Sequence, residues 1–260
     1  MSPPTTSEPA GRRRAGLLDV NVYASRREAG VAAARLVEDV VADRLDGQEL
    51  VRIVFASAPS QLELLAALRE STRVPWSRVV AFHMDEYVGL PGDAPERFSA
   101  FLSRELFDAV APLVVHLLDP SDPEAECRRY EALLREAPID LVCCGIGENG
   151  HLAFNEPGDS SFVDARWLRV VPLGEVSRQQ QVNDGCFATI AEVPTDAVTM
   201  TIPALLSARR IVGVVPGASK AAAVARVLAG PIGEDCPATV LRGHDAATLF
   251  VDDAACGDAP

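Results

Sequence analysis

The sequence predicts an α/β fold, a three-layer sandwich in which helices cover both faces of a mostly parallel central sheet. Three observations lead there. Short apolar runs bounded by turn residues alternate with longer stretches of helical period, and strand followed by helix, repeated, builds a parallel sheet. Several of the runs are apolar at consecutive positions, as strands covered on both faces are. No internal repeat and no stretch of linker composition divides the 260 residues, so a single domain over 17–260 is expected.

The elements follow in order. Residues 1–16, MSPPTTSEPAGRRRAG, are rich in Pro, Ser, Thr and then Arg; such a stretch buries little apolar surface and reads as a disordered tail. Strands are expected at LLDVNVY (17–23), LVRIVFAS (50–57), RVVAFHMDE (78–86), IDLVCCGIG (139–147), RRIVGVVPG (209–217) and ATLFVDD (247–253). Between the first two, SRREAGVAAARLVEDVVADRL (25–45) carries apolar residues at i, i+3 and i+4 behind a serine able to cap it. PERFSAFLSRELFDAV (95–110), DPEAECRRYEALLREA (122–137) and ASKAAAVARVLAG (218–230) also read as helices, the last stopped by Gly230 and Pro231.

Composition removes several functions. A net charge of −13 opposes binding to nucleic acid, whose affinity rests on neutralised phosphates. No run approaches the roughly 18 apolar residues of a membrane span, and the opening stretch has no signal-peptide core, so a cytoplasmic protein with no membrane partner is expected. Cysteines 127, 143, 144, 186, 236 and 256 show no C-x-x-C spacing and no grouping with the four histidines, which argues against a metal site. Cys143 and Cys144 lie in an apolar run and read as small buried hydrophobes.

In a parallel α/β sheet, ligands sit in the crevice beyond the carboxyl ends of the strands. ASAPS, MDEYVGL and GIGENGHLAFNEPG (145–158) all fall there. The last matches the dinucleotide fingerprint at Gly145, Gly147 and Gly150. A nucleotide site, however, needs a helix after the final glycine and an acidic residue closing the next strand. Asp164 stands at a fitting distance, but Pro157 and Gly158 break any such helix and DSSFVD is a poor strand. The glycines are better read as allowing sharp turns that project Glu148, Asn149, His151, Asn155 and Glu156 into the crevice. A histidine held near carboxylates can act as acid or base near neutral pH. Asp85 and Glu86 end a strand whose alternation sends one of them into the crevice and the other away.

MDEYVGLP together with GIGENGHLAFNEPG resembles the glucosamine-6-phosphate deaminase/isomerase family, and the similarity runs from about residue 17 to the C-terminal CPATVLRGHDAATLFVDDAA. The related phosphogluconolactonases share the glycine-rich turn and its histidine but lack the AFNEP continuation. The resemblance implies a Rossmann-like sheet and a reaction without metal or other cofactor, in which a 2-amino-sugar phosphate becomes a ketose phosphate and ammonia. It implies Asp85 as the base that moves a proton from C2 to C1, His151 as the group that opens the sugar ring, and Glu156 as the residue that sets the His151 tautomer. Asn149 stands where many members have an acidic residue, so it supports His151 without a charge. Members occur as hexamers and as smaller assemblies, which leaves a homo-oligomer open.

The phosphate end departs from that pattern. The family's turn after the second strand is Thr-Gly-Gly-Thr or close to it; here it is Ser57-Ala58-Pro59-Ser60. Proline has no N–H to offer and alanine resists positive φ. A family phosphate arginine falls on Asn183 or Gly185, while its phosphate lysine corresponds to Lys220. Ser57, Ser60 and Lys220 are left to bind phosphate, with Glu86 and Gly147 beside them in the substrate-binding set. Gln179, Gln180, Gln181 and Asn183 are read as neutral hydrogen-bond partners for hydroxyls, as an uncharged or differently substituted sugar requires. Three functions remain: a glucosamine-6-phosphate deaminase, a deaminase/isomerase of another, unphosphorylated amino sugar, and a non-catalytic sugar-phosphate-binding protein.

Overall fold

The computed structural model describes residues 8–257. Its strands are β1 (Gly11–Ala15), β2 (Leu18–Tyr23), β3 (Val51–Phe55), β4 (Val79–His83), β5 (Asp85–Tyr87), β6 (Val114–His116), β7 (Leu141–Cys144), β8 (Leu168–Pro172), β9 (Asp196–Met200), β10 (Arg210–Val215) and β11 (Ala247–Asp252). Its α-helices are α1 (Arg26–Leu45), α2 (Leu62–Glu70), α3 (Phe98–Leu102), α4 (Asp108–Val110), α5 (Pro123–Arg135), α6 (Glu175–Asn183), α7 (Ile202–Leu206), α8 (Ala221–Ala229) and α9 (Asp253–Cys256), with a π-helical stretch, Ser103–Phe107, joining α3 to α4.

The central sheet runs β1-β2-β11-β10-β7-β3-β4-β6, parallel throughout except for the antiparallel β1–β2 pair. Alternation along each strand divides its side chains between two cores. Val142, Cys144, Ile211, Val215, Leu249 and Val251 face α5, α7 and α8, whereas Leu141, Cys143, Val212, Val214 and Phe250 face α1 and α2. That two-sided burial explains the unbroken apolar runs, because neither face of such a strand meets water. Cys143 and Cys144 lie on opposite faces of β7 and are both buried, and burial pushes both thiols up.

Two sequence expectations change. The disordered tail over 1–16 does not hold over its second half: residues 11–15 form β1, paired with β2 from Gly11↔Val22 to Ala15↔Leu18. Residues 1–7 of that expectation lie outside the described residues. The arginine run GRRRA misled because an edge strand needs only backbone pairing and tolerates charge on its exposed side. Gly16, at φ 61°, makes the tight turn back into β2.

The run 78–86 is not one strand. β4 stops at His83, the Met84 carbonyl accepts from Met200 N at 2.8 Å, and β5 joins a separate antiparallel sheet, β5-β9-β8. Asp85 pairs with Thr199 there. This small sheet covers its own apolar cluster of Tyr87, Phe98, Phe154, Phe187 and their neighbours and walls the crevice. Among the described residues, no helix is long and apolar enough to cross a membrane.

Candidate active site

Four chain crossings meet at the carboxyl rim of the sheet. After β3 the chain runs through Ser57 and the short turn Pro59–Gln61 into α2; after β10 it passes Gly217 and the turn Ala218–Lys220 into α8. β7 opens into the glycine-rich loop and β4 crosses into β5. The hollow between them is lined by Ser57, Ser60, Asp85, Gly147, His151, Gln181 and Lys220, with Gln180, Met84, Phe98 and Phe154.

The three glycines of the loop serve this packing. No helix follows Gly150 before β8, so the dinucleotide pattern has no helix N-terminus to present to a pyrophosphate. A Cβ at Gly145 would press on Gln61 Nε2 and Ser60 Oγ at 3.1 and 3.3 Å, one at Gly147 would overlap the His151 imidazole, and one at Gly150 would overlap Cys236 Sγ. Gly150 also holds φ 92°, and Ala153 takes the left-handed φ of 49°. That turn brings Phe154 N to Thr199 Oγ1 at 3.0 Å, on the strand that pairs with Asp85.

His151 is buried and joined to Glu156 through a third residue. Ser177 Oγ lies 2.9 Å from Nδ1 and donates to Glu156 Oε1, while Nδ1 and Oε1 stand 3.4 Å apart. Asn149 Nδ2 holds the other carboxylate oxygen at 2.7 Å. Burial pushes the Glu156 carboxyl up, but His151, Ser177 and Asn149 together outweigh it and keep it below its ordinary range. Asn149 does not touch the imidazole; its Oδ1 accepts the His151 backbone N–H at 3.1 Å. The asparagine therefore positions the loop and the carboxylate rather than the ring.

Asp85 and Glu86 face opposite ways, as alternation requires. Asp85 lines the hollow with no protein hydrogen bond to its carboxylate among the described residues, and burial, followed by the charge of Glu86, raises its pKa well above the usual value. Glu86 is fully buried away from the hollow, where it accepts from the backbone of Tyr87, Phe98 and Ser99 and from Ser99 Oγ. It holds the start of α3 rather than standing in the crevice with the other expected substrate-binding residues.

At the far end, the Lys220 side chain is 5% exposed and lines the hollow without a protein hydrogen bond among the described residues. Burial lowers its pKa, against the opposing charges of Asp184 and Glu148. Gln181 is likewise buried and lines the hollow, with no hydrogen bond to its side chain among the described residues. Asn183 is exposed and bonds Gln179 at 3.1 Å, outside the hollow. Sequence reading missed Ser177, whose only signal is its place four residues before Gln181, on the same face of α6. Gln180, read with Gln181 as a neutral hydroxyl partner, also lines the hollow and accepts Glu148 N at 3.0 Å. A larger hollow of about 440 Å³ lies at the opposite rim and contains none of these groups.

One crevice of this parallel α/β sheet thus holds a carboxylate, an imidazole and an ammonium. The chain belongs to the family described as glucosamine-6-phosphate isomerases/6-phosphogluconolactonase, which it matches over residues 24–250. It is 35% identical over 237 residues to the glucosamine-6-phosphate deaminase of Bacillus cereus (strain B4264), covering 90% of this chain and 87% of that one. The deaminase of Bacillus anthracis (strain A0248) stands at the same identity and coverage. Among solved structures, a monomeric glucosamine-6-phosphate deaminase superposes with a TM-score of 0.83 at 31% identity, covering 91% of this chain and 98% of that one. The 6-phosphogluconolactonase of Thermotoga maritima shares the fold, with a TM-score of 0.72 at 21% identity over 90% of this chain and 99% of that one.

Proposed function

We propose that the protein converts glucosamine 6-phosphate to fructose 6-phosphate and ammonia. The observation that carries this reading is the shared hollow, in which Asp85 and His151 stand with the Lys220 ammonium. The C2 proton of the sugar is acidic only once the ring is open, so one group must open the ring and another must enolise the aldehyde. His151 takes the proton of the anomeric hydroxyl and hands it to the ring oxygen. Asp85 then removes the C2 proton while the C1 oxygen is protonated, giving an enolamine. Return of that proton to C1 leaves an imine at C2, and water hydrolyses it to the ketone and ammonia. C1 is reduced as C2 is oxidised within the one molecule, so no external oxidant or reductant is required.

Lys220 provides the charge for the phosphate, with Ser57, Ser60 and Gln181 as neutral partners. The hollow measures about 60 Å³, below the roughly 300 Å³ at which ligand pockets begin, so it must widen to hold a sugar phosphate. One observation favours a second reading. The turn Ala58-Pro59 stands where a nest of backbone donors would bind phosphate, and no second cation lines the hollow among the described residues; an unphosphorylated amino sugar would need neither.

Ammonia release from glucosamine 6-phosphate and from glucosamine separates the two, with 6-phosphogluconolactone hydrolysis as a third arm. Turnover is expected on the phosphorylated amino sugar and not on the lactone. Lys220→Ala is expected to raise KM for glucosamine 6-phosphate by about 10- to 100-fold, the loss of one charge-assisted contact, with little change in kcat. Equal turnover of glucosamine by both proteins, with none of the phosphorylated sugar, would replace the first reading by the second.

A further inference from the structure

The gap of 3.4 Å between His151 Nδ1 and Glu156 Oε1 is longer than a good N–H···O bond. Ser177 Oγ closes it, 2.9 Å from Nδ1 and donating to Oε1. Ser177 is completely buried, so its hydroxyl has no water to turn to. A hydroxyl owns one hydrogen, and an ionised carboxylate only accepts. The serine hydrogen therefore goes to Glu156, and Oγ presents a lone pair to His151. In the neutral imidazole Nδ1 then carries the one ring hydrogen, which leaves Nε2 bare beside Gly147, on the wall of the hollow. Asn149 fixes the second carboxylate oxygen, so Glu156 cannot rotate to replace the serine.

We infer that Ser177 is a positioning residue that holds His151 in its Nδ1–H form, with Nε2 free to take the proton of the sugar hydroxyl. Glu156 hydrogen-bonds the imidazole through this hydroxyl, its own Oε1 standing 3.4 Å from Nδ1. The link lies on α6, the helix whose Gln180 and Gln181 also line the hollow. The role in ring opening rests on the deaminase reading above; the state of the imidazole does not.

The test uses the full chain with ¹⁵N-labelled histidine, alongside Ser177→Ala and Ser177→Cys, the latter keeping the size but offering a weak donor. His151 nitrogen shifts in the parent are expected to report Nδ1–H and a bare Nε2, and both variants are expected to show a mixture of tautomers. With glucosamine 6-phosphate, kcat is expected to fall by about 10- to 100-fold, short of or at the low edge of the 10² to 10⁴ of a lost acid–base group, with KM within about threefold. Unchanged nitrogen shifts in either folded variant would overturn the inference, as would an Nε2–H form in the parent. Absence of turnover by the parent would remove the deaminase reading alone, because the nitrogen spectra decide the role of Ser177 independently.

Discussion

Asp85→Asn is expected to lower kcat for glucosamine 6-phosphate by about 10² to 10⁴, the contribution of a positioned base, and to make the folded protein more stable at pH 8. The two effects have one cause. The Asp85 carboxylate is buried without a hydrogen-bonding partner among the described residues, beside the charge of Glu86, and its pKa is raised well above the usual value, first by burial and then by that charge. A carboxylate whose charge is poorly solvated is a stronger base, so the arrangement that costs stability favours proton abstraction. An amide in the same place carries no charge to desolvate, and it cannot take the C2 proton.

The sign of the pH dependence follows. A carboxyl with a raised folded pKa favours the folded state fully below its unfolded value, about 3.9, and that advantage is lost as pH rises through the folded pKa. Melting temperatures of parent and variant are therefore expected to converge near pH 4, to separate as pH rises from there to the folded value, and to stay apart above it, with the asparagine protein the higher. The acid limb of kcat/KM in the parent is expected to lie well above the ordinary carboxylate range. A stability difference that is the same at pH 4 and pH 8 would show that Asp85 ionisation is not its source.

The residues whose roles are local were legible in the sequence. Apolar runs such as VRIVF, LVCC and ATLFV became β3, β7 and β11 because each is buried on both faces. The motif loop placed His151, Glu156 and Gly147 together because it spans one short turn of chain. What the sequence hid depends on distant partners. β8 and β9 have ordinary composition, and they are strands because β5 leaves the central sheet to pair with β9. Ser177 looks like any serine in the first turn of a helix, and its meaning comes from two residues 26 and 21 positions earlier. Asn183 failed for the same reason in reverse, since its polar type suits a binding site while the phase of α6 turns it outward.

Glu86→Ala is expected to lower stability by about 3 to 5 kcal/mol, the cost of removing one partner of a buried ion pair. The Glu86 carboxylate is reached by Arg97 Nε at 3.4 Å, by the backbone N–H of Phe98 and Ser99 at 3.0 Å each, and by Ser99 Oγ at 2.7 Å. Truncation leaves that guanidinium and the two backbone donors at the start of α3 facing an empty space, with the Gly92 and Leu118 carbonyls and the more distant Asp119 carboxylate still holding Arg97. Glu86→Gln keeps the volume but turns an amide donor toward the Ser99 N–H or Phe98 N–H, so it is expected to recover only part of the loss. Because Phe98 packs on Tyr87 with ring centroids 4.5 Å apart, and both flank Asp85, activity is expected to fall as the fold loosens and not through substrate affinity. Urea midpoints together with KM measured well below the transition decide the matter. A raised KM with an unshifted midpoint would return Glu86 to the substrate-binding role that its neighbour's position suggested, whereas a lowered midpoint with KM unchanged fixes it as the anchor that lets Asp85 stand unpaired.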